Sequence, residues 1–124
     1  MRQNLFDSEL QDCLFKGAVK LQASEALVAG VIPLNSPVTR LTSTGAGTAY
    51  TLADGVEGQI KTLIHVTDGG TAVITPANFG GGTSATITLA NAGDSITLLF
   101  TAGAWWGIAF HSDAAVTGSS VTKA

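Results

Sequence analysis

The stretch ITLLFTAGAWWGIAF, residues 96 to 110, reads as two short apolar runs joined by a small-residue turn, with Trp105 and Trp106 side by side in the second run. Neighbouring residues of a β-strand point to opposite faces of the sheet, so two adjacent indoles cannot share one core. In a strand from Ala104 to Phe110, Trp106, Ile108 and Phe110 fall on one face, and Trp105, Gly107 and Ala109 on the other. The first set reads as the core face. The second is one large ring beside two tiny residues. Three fates are open to that ring: cover by the chain's own loops or N-terminal segment, a contact with another subunit, or a platform for a sugar. Hiding it fully is worth about 2–3 kcal/mol or more, at about 25 cal/mol per Å². The resulting expectation is Trp106 for the core and Trp105 for a contact.

Outward from that stretch, the chain from Val28 onward consists of short apolar runs broken by turn residues every 8 to 12 positions, the pattern of an all-β sandwich or barrel. Strands are predicted at 28–34, 38–42, 48–52, 59–66, 71–75, 85–89, 95–101 and 104–110. In GQIKTLIHV, residues 58 to 66, one face carries Ile60, Thr62, Ile64 and Val66, which reads as core. The other carries Gln59, Lys61, Leu63 and His65 and is half polar. The Asp-Gly pair in TDGG, residues 67 to 70, predicts a tight hairpin between the runs at 59–66 and 71–75. NFGGGTS, residues 78 to 84, reads as a loop with Phe79 pinning its base. TLADGVEGQIKTLIH at 51–65 echoes TLANAGDSITLLF at 88–100, each a strand end, a turn and an apolar strand.

Composition agrees with a compact antiparallel β fold. Of 124 residues, 45% are apolar and only 12% charged, and sixteen threonines and fifteen glycines favour strands and tight turns. Residues 1–27 differ: they hold Asp7, Glu9, Asp12 and Glu25 but one glycine, and Phe6, Leu10, Cys13 or Leu14, and Gly17 recur at helical spacing. They read as an N-terminal arm or short helix, with the β domain at 28–124. The formal charge is −3 and the six basic residues are scattered from Arg2 to Lys123, so no stripe exists to neutralise a run of phosphates. No nucleic-acid partner is expected. The longest apolar stretch, Ala26 to Leu34, is far short of the roughly 20 residues that cross a bilayer, so no membrane partner is expected either. Acids stand near the N-terminus where a signal peptide would be apolar, and the lone Cys13 cannot form an internal disulfide.

Residues with reactive side chains form no constellation in the sequence. His65 and His111 sit in no metal-ligand spacing and read as surface residues at strand ends. Asp54 and Glu57 lie in a glycine-flanked turn, where hydrogen bonding to nearby backbone is the better account than acid-base catalysis. Asp68, Asp94 and Asp113 never gather several oxygens in one loop, and Gly80–Gly82 lacks the GK[ST] of a phosphate loop. Ser24, Ser43 and the other serines lie in no nucleophile elbow. The expectation is no cofactor, no metal and no catalysis.

LADG at 52–55, GQIKT at 58–62, TDGG at 67–70, TPAN at 75–78, GDSITLLF at 93–100 and the tryptophan of the last run resemble a recurrent β-rich module of tailed-bacteriophage virion proteins. The likeness is to small capsid decoration, or cement, proteins and to fibre segments of marine phages, and it covers residues 51 to 109. FGGG at 79–82 and the doubled tryptophan depart from the pattern, and residues 1–27 are not covered. The resemblance implies a homotrimer on the outer surface of the major capsid protein lattice, made in the host cytoplasm, stabilising the shell without catalysis. Phe6, Leu10, Leu14 and Trp105 are the contact residues expected on that reading. The alternative is a fibre or receptor-binding module that grips host glycans through Trp105 and the 79–84 loop.

Overall fold

The computed structural model describes residues 17–18, 20–81 and 85–112, and the backbone of 121–123. Among them the chain is all β, with no helix. The strands are β1 (Glu25–Leu27), β2 (Gly30–Val31), β3 (Val38–Thr42), β4 (Thr48–Leu52), β5 (Ile60–Thr67), β6 (Ala72–Pro76), β7 (Ile87–Leu89), β8 (Ser95–Thr101), β9 (Ala104–His111) and β10 (Val121–Lys123). They form two five-stranded sheets: a front sheet in the order β1-β3-β5-β8-β9 and a back sheet in the order β10-β7-β6-β4-β2. Leu41, Leu63, Ile96, Leu98 and Phe100 of the front sheet form one buried cluster with Tyr50, Leu52, Ile74, Ile87 and Leu89 of the back sheet, so the sheets pack as a sandwich.

The sheets are mixed, which corrects the antiparallel expectation. Through β6 the chain alternates between sheets at every strand, so β1, β3 and β5 pair in parallel, as do β2, β4 and β6. Val38 pairs with Thr62 and Thr48 with Ala72, the same 24-residue step (62 − 38 and 72 − 48) in both sheets. Each parallel crossover therefore runs through the opposite sheet, where a strand takes the place of the usual helix. From β7 the pairing turns antiparallel: β7 on β6, β8 on β5, β9 on β8. The two echoing segments occupy equivalent places, since 51–65 and 88–100 both leave the back sheet and enter the centre of the front one.

This winding overturns the Asp-Gly hairpin. β5 and β6 lie in different sheets, and the Asp68–Gly70 turn is a corner between them. Asp68 Oδ1 accepts the Gly70 N–H. A Cβ on Gly70 would stand 2.4 Å from the Gly45 carbonyl, and one on Gly69 would stand 2.5 Å from the Ser43 carbonyl. The glycines are there so that two corners can touch. The tight two-residue hairpin lies instead between β8 and β9, where Ala102 and Gly103 both have positive φ, 53° and 76°.

The inward face of β5 is the second correction. Lys61, Leu63 and His65 are buried, while Ile60 and Val66 are exposed. Lys61 Nζ donates to Pro33 O (2.7 Å), Thr39 Oγ1 (2.7 Å) and Ser36 O, which uses all three of its protons. The polar face can be buried because Lys61 finds its partners in the turn before β3 and in β3 itself, and His65 finds one just after β3. Burial holds the Lys61 pKa below its ordinary value, opposed by the nearby Glu25 carboxylate. His65 is also fully buried, not a surface residue, because Ser43 Oγ lies 2.9 Å from its Nε2.

Lys61→Met should lower the unfolding free energy by about 2–4 kcal/mol, since three buried acceptors lose their donor; urea denaturation reads this. The depressed folded pKa means that the unfolded chain binds more protons on the alkaline shoulder, so the wild-type-minus-variant stability difference should rise as pH approaches 10.5 from below. Tyr50, whose pKa burial raises, acts with the opposite sign and cancels in that difference. Ala102→Gly should stabilise by about 1 kcal/mol in the same assay, because the left-handed backbone there strains any Cβ.

Candidate functional site

The two tryptophans exchange the roles that strand alternation suggested. Trp105 is 0% exposed: it meets Phe100 edge to face with ring centroids 5.2 Å apart, and its Nε1–H donates to Ala53 O at 2.8 Å. Gly55 makes room for it, since a Cβ there would stand 2.7 Å from the indole. Trp105 is therefore covered by its own chain and is corrected as a contact residue. Trp106, Ile108 and Phe110, expected in the core, are 37%, 52% and 62% exposed. Two things defeat the sequence reading of this strand. The register shift opposite Thr97/Leu98 leaves Ile108 without a partner, so alternation does not run through the strand. β9 is also the margin of the front sheet, where a side chain on the inner face need not be covered: Phe110 pairs with buried Ile96 and is still exposed.

The segment before the glycine run docks on that margin. Trp105 N–H donates to Asn78 O and Gly80 N–H donates to Trp105 O, so residues 78–80 run beside the start of β9. Phe79 packs against the core, as expected of the base of that loop. Trp106 folds over Gly80. A Cβ on Gly80 would stand 2.5 Å from both Cδ2 and Cε2, the two atoms of the ring fusion, which puts Gly80 against the flat face of the indole. The Trp106 Nε1–H donates to Thr101 O at 2.8 Å.

The outward face of the front sheet continues from there. Ile60 pairs with Leu99 and Leu99 with Trp106, a row of apolar side chains across three strands. The next row is Val38, Thr62, Thr97 and Ala109, with the two threonine hydroxyls 3.0 Å apart. Beyond it come Arg40, Ile64 and Ser95. The outward face of the back sheet is built otherwise: Ala49, Thr51, Val73, Thr75 and Thr88, with Val31 at its end. Threonine at 51, 75 and 88 presents hydroxyls there between smaller apolar residues, whereas the front face sets isoleucine, leucine and tryptophan beside its threonine pair.

The other candidate side chains act as fasteners. Asn78 donates to both Asp54 carboxylate oxygens, and Glu57 accepts from Thr101 Oγ1 and from Ala102 N–H. Asp54 and Glu57 thus tie their turn to the neighbouring elements. Asp94 is buried, and its Oδ2 accepts the N–H groups of Ala90 and Asn91. Among the described residues no cluster of three or more His, Cys, Asp or Glu side chains could hold a metal ion. Ser43 and His65 sit at the distance of a nucleophile and its base, but Ser43 Oγ donates to Gly70 O (2.6 Å) and accepts the Gly69 N–H. The hydroxyl proton is thereby committed to a carbonyl, and His65 Nε2 must be the donor to Ser43. Its Nδ1 is buried without a partner. The pair knits the two corners together and holds the tautomer opposite to that of a general base. His111 is exposed at the end of β9. Phe6, Leu10, Leu14, Cys13 and Asp113 lie outside the described residues. Comparison of the chain with family models, curated proteins and solved structures found no match.

Trp105→Ala should cost about 3–5 kcal/mol of stability and Trp106→Ala less than about 2, the reverse of the order expected if Trp106 were core. Chemical denaturation of the two variants measures both.

Proposed function

We propose that the chain is a non-catalytic capsid decoration protein of a tailed bacteriophage, which associates with copies of itself and binds the outer surface of the assembled capsid lattice. One observation carries the self-association: the outward face of the front sheet bears the apolar row Ile60, Leu99 and Trp106, with Val38 and Ile64 in the rows beside it, whereas the equivalent face of the back sheet has, among the described residues, no side chain larger than valine and carries threonine at 51, 75 and 88. The strands β5, β8 and β9 are seven or eight residues long, with β3 and β1 beside them at five and three residues, so at about 4.8 Å between strands the face is roughly 20 Å across and up to about 25 Å long, a substantial part of the ~800 Å² that each partner gives to a stable interface. Ile60, 55% exposed at the start of the central strand, and Leu99 beside it would form the middle of that contact. The trimeric state and the capsid partner come from the resemblance of residues 51–109 to virion modules. With Trp105 in the core, the lattice contact passes to other residues: Phe6, Leu10 and Leu14 at one end of the chain remain its proposed members.

Light scattering coupled to size exclusion should give a trimer at micromolar concentration, and Ile60→Lys or Leu99→Lys should reduce it to a monomer of unchanged fold. Co-sedimentation with expanded capsids should retain the wild-type chain. A wild-type monomer that ignores such capsids would remove the proposal.

A further inference from the structure

Trp106 is exposed, yet it is not loose. Its N–H is fixed to Thr101 O and one face of its indole is pressed on Gly80, so the 37% of the residue that is exposed is presented in a single orientation. An exposed tryptophan ordinarily loses rotamer freedom when a partner covers it; here that loss has already been taken in folding. Only glycine at position 80 permits this seat, because a methyl group would enter the ring. The Gly80 backbone lies against one π-face of the indole as a C–H donor would. The free face offers the same surface to a second C–H-bearing partner.

What surrounds the ring selects that partner. Thr101, whose carbonyl holds the indole N–H, also binds the exposed Glu57 carboxylate through its hydroxyl. Asn78, two residues from Gly80, holds the exposed Asp54 carboxylate. A flat aromatic face flanked by exposed carboxylate acceptors matches a pyranose, which has one C–H face for stacking and a girdle of hydroxyl donors for the carboxylates. The negative charge of the flanks disfavours anionic sugars.

We propose that Trp106, with Glu57 and the Asp54–Asn78 pair at its margin, is a binding site for neutral pyranosides. The site is carried by the seating of one ring; because Trp106 stands beside Leu99 in the row proposed for self-association, a sugar and a neighbouring subunit compete for it. It also moves the glycan contact from Trp105, which is buried, to Trp106.

The test uses the full chain on an array of neutral glucose-, galactose- and mannose-terminated glycans, with sialylated forms of the same cores. Each hit is followed by titration with acrylamide quenching of tryptophan fluorescence, in which buried Trp105 contributes little. The expected result is that a neutral glycan binds and lowers the quenching constant at least twofold, while its sialylated form binds at least tenfold more weakly. Trp106→Ala should lose binding at least tenfold, Trp106→Phe should keep most of it by retaining a stacking face, and Ile60→Lys, which uncovers the row by removing self-association, should keep or strengthen it. The site is overturned if no glycan on the array binds, if binding survives Trp106→Ala, or if the sialylated forms bind as well as the neutral ones. Loss with Trp106→Phe as well as Ala would also overturn it, since the open π-face would then not be the determinant.

Discussion

A buried ammonium decides which way the front sheet faces. Lys61 stands buried on the inner face of β5, near its start, with its three protons taken by Pro33 O, Ser36 O and Thr39 Oγ1. Because side chains alternate along a strand, fixing Lys61 inward also fixes Leu63 and His65 inward, and turns Ile60, Thr62 and Ile64 outward. β8 and β9 inherit that choice through their register, which is how Leu99 and Trp106 come to lie on the outer surface. The apolar outer face is thus the counterpart of a polar group held in the core. Isolated burial of such a charge would cost several kcal/mol, and three well-placed acceptors offset it.

The turn that supplies those acceptors is itself a product of the winding. Residues 33–37 join β2 of the back sheet to β3 of the front one, so the backbone there crosses the end of the sandwich and turns two carbonyls toward Lys61. At the two corners where the Ser43 loop meets the Gly69–Gly70 loop, Ser43 Oγ accepts the Gly69 N–H and donates to Gly70 O, so the sandwich is tied where the chain crosses between sheets. With no disulfide available among the described residues, these polar ties and the cluster around Tyr50 and Trp105 hold the sheets in register.

The two outer faces then divide the work. Threonine over the back sheet suits water, and the hydrocarbon row over the front sheet suits a protein surface. At the margin of that row a single glycine lets Trp106 lie flat, so the strand that ends the sheet also carries its most ordered exposed ring. The assembly role and the sugar platform meet in one row: Ile60 and Leu99 serve the first and the Gly80-seated indole at its end serves the second, so one occupant limits the other.

Much of the fold was legible in the sequence because it is local. The β3 and β4 ranges, and the β8–β9 pair with its small-residue turn, follow from alternation and glycine placement, whereas Asp54 and Glu57, expected to hold nearby backbone, instead bind Asn78, Thr101 and Ala102, 24 to 45 residues away. Which face of a strand is inward is not local information. Lys61 and His65 looked like outward residues because their partners, Pro33, Ser36, Thr39 and Ser43, are 22 to 28 residues away in the chain. The Asp-Gly turn carried the same signal whether the next strand joined the same sheet or the opposite one. The exchange between Trp105 and Trp106 was likewise out of reach, since it depends on the register that β8 and β9 inherit from β5, which pairs Trp105 with buried Phe100 and Trp106 with Leu99. Sequence alone determined that this chain makes short strands and tight turns, because those preferences reside in single residues and their neighbours. Only the tertiary structure decided which side chains face inward, because burial is settled by distant groups that meet after the chain has wound between its two sheets.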